Sequence, residues 1–231
     1  MSLPFDVDVC LKQFTGSAPL FPLPNGVLFP QLVLPLHVFE ERYREMTAAA
    51  LAGERMIAMA LLRPGAAAMY ETKAAPIYST VTLGQIVMHE RLDDGRYNIV
   101  LRGLCRARLL EEPFTNHAYR IGRLEPLKDV YPSQPSACWE TCREALLAAF
   151  RCRFPQLNGS GDLQRAVRED LSLGVLCDLL CSSLPLTPLE SAEALLETDV
   201  RRRCAWVLQR LRNGPVATPG KATYPPEFSA N

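Results

Sequence analysis

The sequence predicts an α+β protein in which a β-rich part containing one helix precedes a part that is entirely helical. In residues 18–127, short apolar runs alternate with polar residues and are bounded by Pro, Gly, Asn and Asp, which is typical of strands and turns. One amphipathic stretch between residues 39 and 53 has a period of about 3.6 residues instead. From residue 137, apolar residues recur at helical spacing. A stretch rich in Pro and Ser, DVYPSQPS, separates the two patterns and indicates a linker.

These patterns divide the chain into five predicted segments, with boundaries where the period of the apolar residues changes. They are an N-terminal extension at 1–17, a β domain at 18–127, a linker at 128–136, a helical bundle at 137–213 and a flexible tail at 214–231. A chain of 231 residues is long enough to bury a sizeable core.

Composition and charge are those of an ordinary globular protein and favour no partner through long-range electrostatics. Hydrophobic residues make up 48% of the chain and charged residues 22%. Lys and Arg together number 25, as do Asp and Glu, so a zero net charge favours neither nucleic acid nor an anionic membrane. The N-terminal MSLPFDVDVCLKQF has no long apolar run, so we expect no signal peptide or membrane anchor and a cytoplasmic protein.

The stretch from residue 18 to residue 53 predicts two strands followed by a helix. The strands are expected at 20–23 and 32–36, each bounded by Pro, with an Asn25-Gly26 turn between them. From Phe39 the spacing is helical, and we expect Glu40 to pair with Arg44 and Gly53 to end the helix. The predicted inner face of this helix consists of Phe39, Tyr43, Met46 and Ala50.

The following residues predict an antiparallel set of strands. The run at 55–62 is apolar throughout, which favours a strand buried on both faces. The apolar residues occupy alternate positions before Gly84 and the opposite set of positions after it, which predicts a β-bulge there. Asp94-Gly95 indicates a hairpin turn, and alternation from Tyr97 predicts the next strand. A last strand is expected at 117–127.

Helical signals fill the rest of the chain. A first helix is expected to end near residue 154, a loop to occupy 156–161 and Asp162 to cap the next helix. Thr187, Pro188 and Glu190 form a predicted capping box with Pro at the first helical position. The last helix is expected to end at residue 213 after burying Val200, Cys204, Val207 and Leu211.

The eight cysteines are expected to be reduced, because the chain contains no CxxC and is too large to need disulfides. A zinc site is the alternative, since two i,i+4 pairs on facing helices would bring together Cys138, Cys142, Cys177 and Cys181. A second interpretation is a stripe of small residues that lets a neighbouring helix approach closely, formed by Cys138, Cys142, Ala145, Ala149 and Cys152.

Motifs for catalysis do not point to an enzyme. The stretch GPVATPGK at 214–221 resembles a phosphate-binding loop, but it has one residue too many between its glycines and Ala222 where a hydroxyl is needed. His37, His89 and His117 lack metal-binding spacing, and no Ser, Cys or Asp has a nucleophile-elbow context. We therefore expect no catalytic residue, cofactor or metal.

Three stretches carry a resemblance to a known family. They are LFPLPNGVLFPQLVLPLHVFEERYREM, STVTLGQIVMHERLDDGRYNIVLRGLCRARLLEE and LCDLLCSSLPLTPLESAEALLETDVRRRCAWVLQRL. Their order resembles the N-terminal domain of the ATP-dependent Lon proteases (peptidase family S16), the module that recognises substrates. Gln31 and Glu41 depart from the usual Gly and Pro, so we expect a differently shaped turn at Gln31.

The resemblance implies both a fold and a function. The implied fold is α+β, a PUA-like β-pseudobarrel with one helix, followed by a C-terminal α-helical bundle. The implied protein is a freestanding bacterial member without the ATPase and protease domains, which binds exposed or unfolded polypeptide segments and has a separate protease or chaperone as a second partner. An apolar concentration beside prolines predicts the binding residues as Phe21, Phe29, Leu34, Pro35 and Phe39.

Two other functions stay open on the sequence. PUA-like folds also bind RNA, and in that case one strand face would be lined by Arg102, Arg106 and Arg108. The zero net charge and the nearby glutamates argue against RNA binding. A small-molecule pocket inside the barrel is the other alternative. Trp139 and Trp206 both fall in the helical part, so a tryptophan cage in the barrel is excluded.

Overall fold

The structure, a computed structural model, describes residues 6–70, 72–133, 136–155, 171–214 and 229–230. It divides into a sheet unit, Met1–Leu127 with Lys221–Asn231, and a helical unit, Lys128–Gly220. The predicted loop at 156–161, the cap at Asp162, the stretch at 215–221 and the tail other than 229–230 lie outside the described residues.

Seven strands and two α-helices build the described part of the sheet unit. The helices are α1 (Val7–Lys12) and α2 (Glu41–Ala52), and a 3₁₀ turn spans Ala66–Met69. The strands are β1 (Ser17–Leu23), β2 (Val33–Val38), β3 (Met56–Leu61), β4 (Thr80–Arg91), β5 (Tyr97–Glu111), β6 (Arg120–Leu127) and β7 (Ser229–Ala230). Helix α1 lies in the predicted N-terminal extension, where the sequence analysis placed no element.

Five of these strands close into a ring. β4 pairs with β3, β3 with β1, β1 with β6, β6 with β5, and β5 again with β4. All of these pairs are antiparallel except β1 with β3. β5 is long enough for its second half to pair with β6 while its first half pairs with β2. β2 therefore attaches to the outside of the ring as an edge strand, and the α+β pseudobarrel prediction is confirmed.

β1 and β3 are buried on both faces, and α1 and α2 pack against different core clusters. Leu20 and Phe21 are adjacent on β1, yet both are fully buried and belong to different core clusters. Helix α2 adds Tyr43, Met46 and Ala50 to the cluster of Phe21. Residues of α1 pack against the cluster of Leu20. The prediction that residues 55–62 form a strand buried on both faces is confirmed, since β3 is buried at all six positions.

Local turn and bulge chemistry explains how β4 and β5 bend. The predicted irregularity at Gly84 is confirmed by a register shift between Leu83 and Gly84. A Cβ on Gly84 would lie 2.9 Å from Leu101 Cγ, so only glycine fits without movement. Gly95 has φ 81° in the predicted hairpin turn. Further shifts between Ile86 and Met88, and between Leu109 and Glu111, were not predicted.

Helix α2 begins later than predicted and uses a different ion pair. Phe39 lies before the helix and is 40% exposed, so it does not belong to the buried face. Glu40 pairs with Arg42 at 2.7 Å instead of Arg44, and it also accepts a hydrogen bond from the Tyr70 hydroxyl at 2.8 Å. Arg44 Nε instead donates to the Gly95 carbonyl at 2.9 Å. Tertiary partners have thus replaced the expected i,i+4 pair.

Four described helices form the helical unit: α3 (Ser136–Arg153), α4 (Leu173–Ser183), α5 (Pro188–Leu196) and α6 (Val200–Asn213). The capping box of Thr187 and Glu190 is confirmed, as is the buried face of α6. Arg203 of α6 is completely buried and bonds to Asp129, while Val130 forms a bridge with Asp199. Residues 129 and 130 of the predicted linker are therefore bonded into this unit.

Candidate functional site

The five predicted binding residues do not share one exposed surface. Phe21, Phe29 and Pro35 are buried, so they cannot contact a partner while the fold is intact. Phe21 is buried because helix α2 packs against it, with the centroids of the Phe21 and Tyr43 aromatic rings 4.4 Å apart. Leu34 is half-buried and packs against the same core cluster. Phe39 is the one of the five that is exposed.

Phe39 and His37 form the outward face at the end of β2. Side chains alternate along a strand, so Leu36 and Val38 point into the core and His37 and Phe39 point away from it. The two outward rings stack with centroids 6.3 Å apart and planes at 27°. The exposed aromatic side chain of Phe39 thus lies at the end of a strand that is not part of the closed ring of five strands.

A polar network fixes the His37 ring. Its Nδ1 lies 2.8 Å from Asn98 Oδ1, and Asn98 Nδ2 donates to Glu90 at 3.1 Å. Nε2 of His37 lies 3.3 Å from an Arg96 nitrogen, and Arg96 pairs with Asp94 at 2.5 Å. These contacts tie the end of β2 to β4 and to the β4–β5 hairpin. They hold the outward face in place and present no free nucleophile there.

The backbone edge of β2 is the other feature of this region. One side of β2 pairs with β5 from Val33 to Val38. The other side pairs in parallel with β7, through Leu36 with Ser229 and His37 with Ala230. Within the described part of the chain, residues 33–35 have no strand partner on that outer side. We refer to the outer side of β2, with His37 and Phe39, as the β2 edge.

The alternative zinc quartet is not assembled by the cysteines that the structure describes. Cys138 is exposed whereas Cys177 and Cys181 are buried, and no group of three metal-binding side chains occurs among the described residues. Instead, hydrogen bonds from Cys177 and Cys142 lower the pKa of Cys204 despite its burial. The hydrogen bond to Cys204, together with burial, raises the pKa of Cys177 well above its ordinary value. Burial also raises the pKa of Cys105 to about 12, so this thiol is a poor nucleophile.

The small-residue stripe of α3 follows its prediction in part. Cys138 and Cys152 are exposed, and the buried residues in the described part of this helix are Leu146, Leu147 and Phe150. Cys142 contacts Cys204 of α6 through a side-chain hydrogen bond. Ala145, Ala149 and Cys152 line an open groove of about 520 Å³ whose wall also includes Leu211 of α6. Small residues of α3 therefore do lie next to a neighbouring helix.

The three arginines of the RNA alternative do not form one exposed row. Arg106 is 3% exposed, so it cannot follow a phosphate backbone. Arg108 pairs with Glu125 at 3.3 Å, and an Arg102 nitrogen lies 3.4 Å from the Gln31 side chain. The β-bulges of β4 and β5 break the simple alternation on which the expected row depended.

A second exposed apolar pair lies on the helical unit and was missed in the sequence. Leu189 and Leu196 of α5 are 50% and 61% exposed. Their i,i+7 spacing places them on one helix face, which is the signal that would have identified them. Within the described residues, no helix is both long enough and apolar enough to cross a membrane.

Comparisons with known proteins converge on one family. The model of the ATP-dependent protease La (LON) substrate-binding domain matches residues 17–213. A Lon protease of Trichlorobacter lovleyi is 31% identical over 194 residues, which cover 80% of this chain and 22% of that protein. A Lon protease of Geobacter metallireducens is 30% identical over 189 residues, covering 78% and 21%. The chain thus spans about a fifth of the curated relatives it matches.

Solved structures share the fold. The N-terminal domain of a Mycobacterium avium complex Lon protease aligns with a TM-score of 0.65 at 18% identity, covering 85% of this chain and 98% of that one. A Lon N-terminal domain protein from Xanthomonas campestris aligns with a TM-score of 0.59 at 23% identity, covering 86% and 99%. Sheet and helices together therefore correspond to one known domain type.

Proposed function

The chain belongs to the substrate-binding-domain family of the ATP-dependent protease La (Lon), and from this membership we propose that it binds exposed or unfolded segments of other polypeptides without hydrolysing them. The single observation that carries the proposal is the match of the substrate-binding model to residues 17–213. The curated relatives are complete Lon proteases, and this chain aligns with about a fifth of their length.

The β2 edge supports this proposal with an apolar ring and an open strand. Phe39 is 40% exposed and follows directly after β2, whose residues 33–35 have no strand partner on the outer side among the described residues. Burying apolar area yields about 25 cal/mol per Å², so one small patch gives weak binding, on the order of micromolar. Because the net charge is zero, we expect this affinity to change little with salt.

The absence of hydrolysis is proposed from the extent of the match and from the side chains that the structure describes. The family model covers a substrate-binding domain and not a catalytic one. Burial raises the pKa of Cys105, and the pKa of Cys177 is raised well above its ordinary value, which suits inert thiols. A separate protease or chaperone is then the proposed receiver of the bound segment. We propose the cytoplasm as the compartment, where thiols stay reduced.

The test compares one client in two states. Reduced, carboxymethylated α-lactalbumin is unfolded, and native α-lactalbumin is its folded control. We expect the unfolded form to bind with a Kd on the order of 1–100 μM in a titration, the native form not to bind, and neither to be cut with or without ATP. Absence of binding by the unfolded form at high concentration would contradict the proposal, and so would cleavage of either form.

A further inference from the structure

We infer that the β2 edge is a strand-acceptor site, at which an extended client segment pairs with the β2 backbone and displaces the chain's own residues Ser229 and Ala230. This inference rests on the proposed function and names the mode and place of binding. The partner that fits is an extended, apolar polypeptide segment, because it must supply a continuous backbone and side chains that cover Phe39.

The first step of the inference is topological. Each ring strand, β1, β3, β4, β5 and β6, has a strand neighbour on both sides along part of its length. β2 lies outside the ring, so one side of its backbone is left for a partner that the ring does not provide. Unpaired backbone groups at a sheet edge bind an added strand readily.

The second step is that the edge already holds a short strand. β7 lies parallel to β2 with Leu36 opposite Ser229 and His37 opposite Ala230. The geometry of the edge therefore suits an incoming extended backbone without any rearrangement of β2. Pro35 has no backbone N–H and therefore cannot donate a hydrogen bond to a neighbouring strand. Proline within a sheet is accordingly found on edge strands, which fits the position of β2.

The third step explains why a client would displace this strand. The described pairing of β7 with β2 comprises two residue pairs, and in sequence Ser229 and Ala230 are small residues. A longer client strand would add backbone hydrogen bonds along residues 33–35 and bury the exposed Phe39 ring. The chain's own strand acts as an internal competitor, which lowers the apparent affinity by the fraction of molecules in which the edge is free.

The test weakens the internal strand without altering β2. Ala230→Pro removes the N–H at the paired position, and Ala222→Pro makes the same exchange elsewhere in the C-terminal stretch as the matched control. The full chain and both variants are titrated with reduced, carboxymethylated α-lactalbumin. Hydrogen exchange of the Leu36 and His37 amides is measured with and without this client. The melting temperature checks that each variant is folded.

We expect A230P to bind the client about two- to tenfold more tightly than the unchanged chain and A222P to bind as the unchanged chain does. Client binding should also slow exchange in β2. Equal or weaker affinity of A230P, together with unchanged exchange at Leu36 and His37, would overturn the strand-acceptor inference while the proposed function stands. Absence of client binding by all three proteins would overturn the proposed function and this inference together.

Discussion

Arg203 carries a buried charge in the helical unit. It is fully buried and its guanidinium contacts Asp129 at 2.6 Å, Asp178 at 3.4 Å and the Glu197 carbonyl at 2.8 Å. Burial acts to lower the pKa of Arg203, but the two carboxylates outweigh it and raise that pKa above its ordinary value. Gly174 completes the arrangement, since a Cβ there would collide with the Asp129 carboxylate. The positive charge of Arg203 is tolerated in the interior because two carboxylates and a backbone carbonyl surround it.

Removing this charge should therefore take the guanidinium contact away from the carboxylates of Asp129 and Asp178. We expect Arg203→Met to lower the free energy of unfolding by about 3–5 kcal/mol, the usual cost of breaking a buried ion pair. Arg202→Met is the matched control, because the Arg202 side chain is 77% exposed and such changes usually stay within about 0.5 kcal/mol. Chemical denaturation measures both. A loss below about 1 kcal/mol for R203M would contradict the central role of Arg203.

At the scale of elements, the turn that leads into β2 carries backbone strain. Gln31 has φ 66°, a left-handed conformation that costs a residue with a Cβ about 1–2 kcal/mol. Its N–H donates to the Gly103 carbonyl at 2.9 Å, and Gly103 N–H donates to the Leu32 carbonyl, so β5 holds the turn. The turn is kept because it directs β2 along the first half of β5. Gln31 thus adopts a backbone conformation that glycine, the usual residue of the family at this place, adopts readily, and the expected difference in turn shape stays a prediction.

Glycine should relieve this strain. We expect Gln31→Gly to raise the free energy of unfolding by about 1 kcal/mol, less the small contribution of the Gln31 contact with Arg102. Gln209→Gly, the same exchange inside helix α6, should instead lower it by about 1 kcal/mol. Opposite signs in parallel denaturation curves are the predicted outcome. Two changes of the same sign would show that the turn is not strained.

Local signals in the sequence predicted elements well, and long-range pairing decided the rest. The bulge at Gly84 and the capping box at Thr187 follow from residues a few positions apart, and both predictions are confirmed. The position of β2 outside the ring depends on pairing with β5, whose partner residues lie 59 to 69 positions further along the chain, and no local pattern encodes this pairing. For the same reason, the ion pair of Arg203 with Asp129 could not be predicted from the sequence, because the two residues are 74 positions apart. For Phe21 and Phe29 taken singly, the sequence favours a core position over a place in an exposed patch, and both side chains are buried in the structure.

At the scale of the whole molecule, one domain type carries both units. The family match runs through the sheet and the helices, from residue 17 to residue 213. The sheet unit contributes the β2 edge, and the helical unit contributes the exposed pair Leu189 and Leu196. We attribute client binding to the β2 edge because an exposed aromatic side chain follows a strand that is unpaired on its outer side at residues 33–35 in the described part of the chain. The central claim is therefore that Phe39 contacts the client.

The most direct test replaces an exposed phenylalanine by aspartate at two places. Phe39→Asp removes the ring at the β2 edge, and Phe114→Asp makes the same exchange at a side chain that is 96% exposed between β5 and β6. Both variants, with Phe39→Ala as an uncharged second variant, are titrated with reduced, carboxymethylated α-lactalbumin after their melting temperatures are checked. Losing the burial of a phenylalanine should weaken binding by F39D and F39A about tenfold or more. F114D should bind within about twofold of the unchanged chain. Unchanged affinity of folded F39D and F39A would contradict the claim that Phe39 contacts the client.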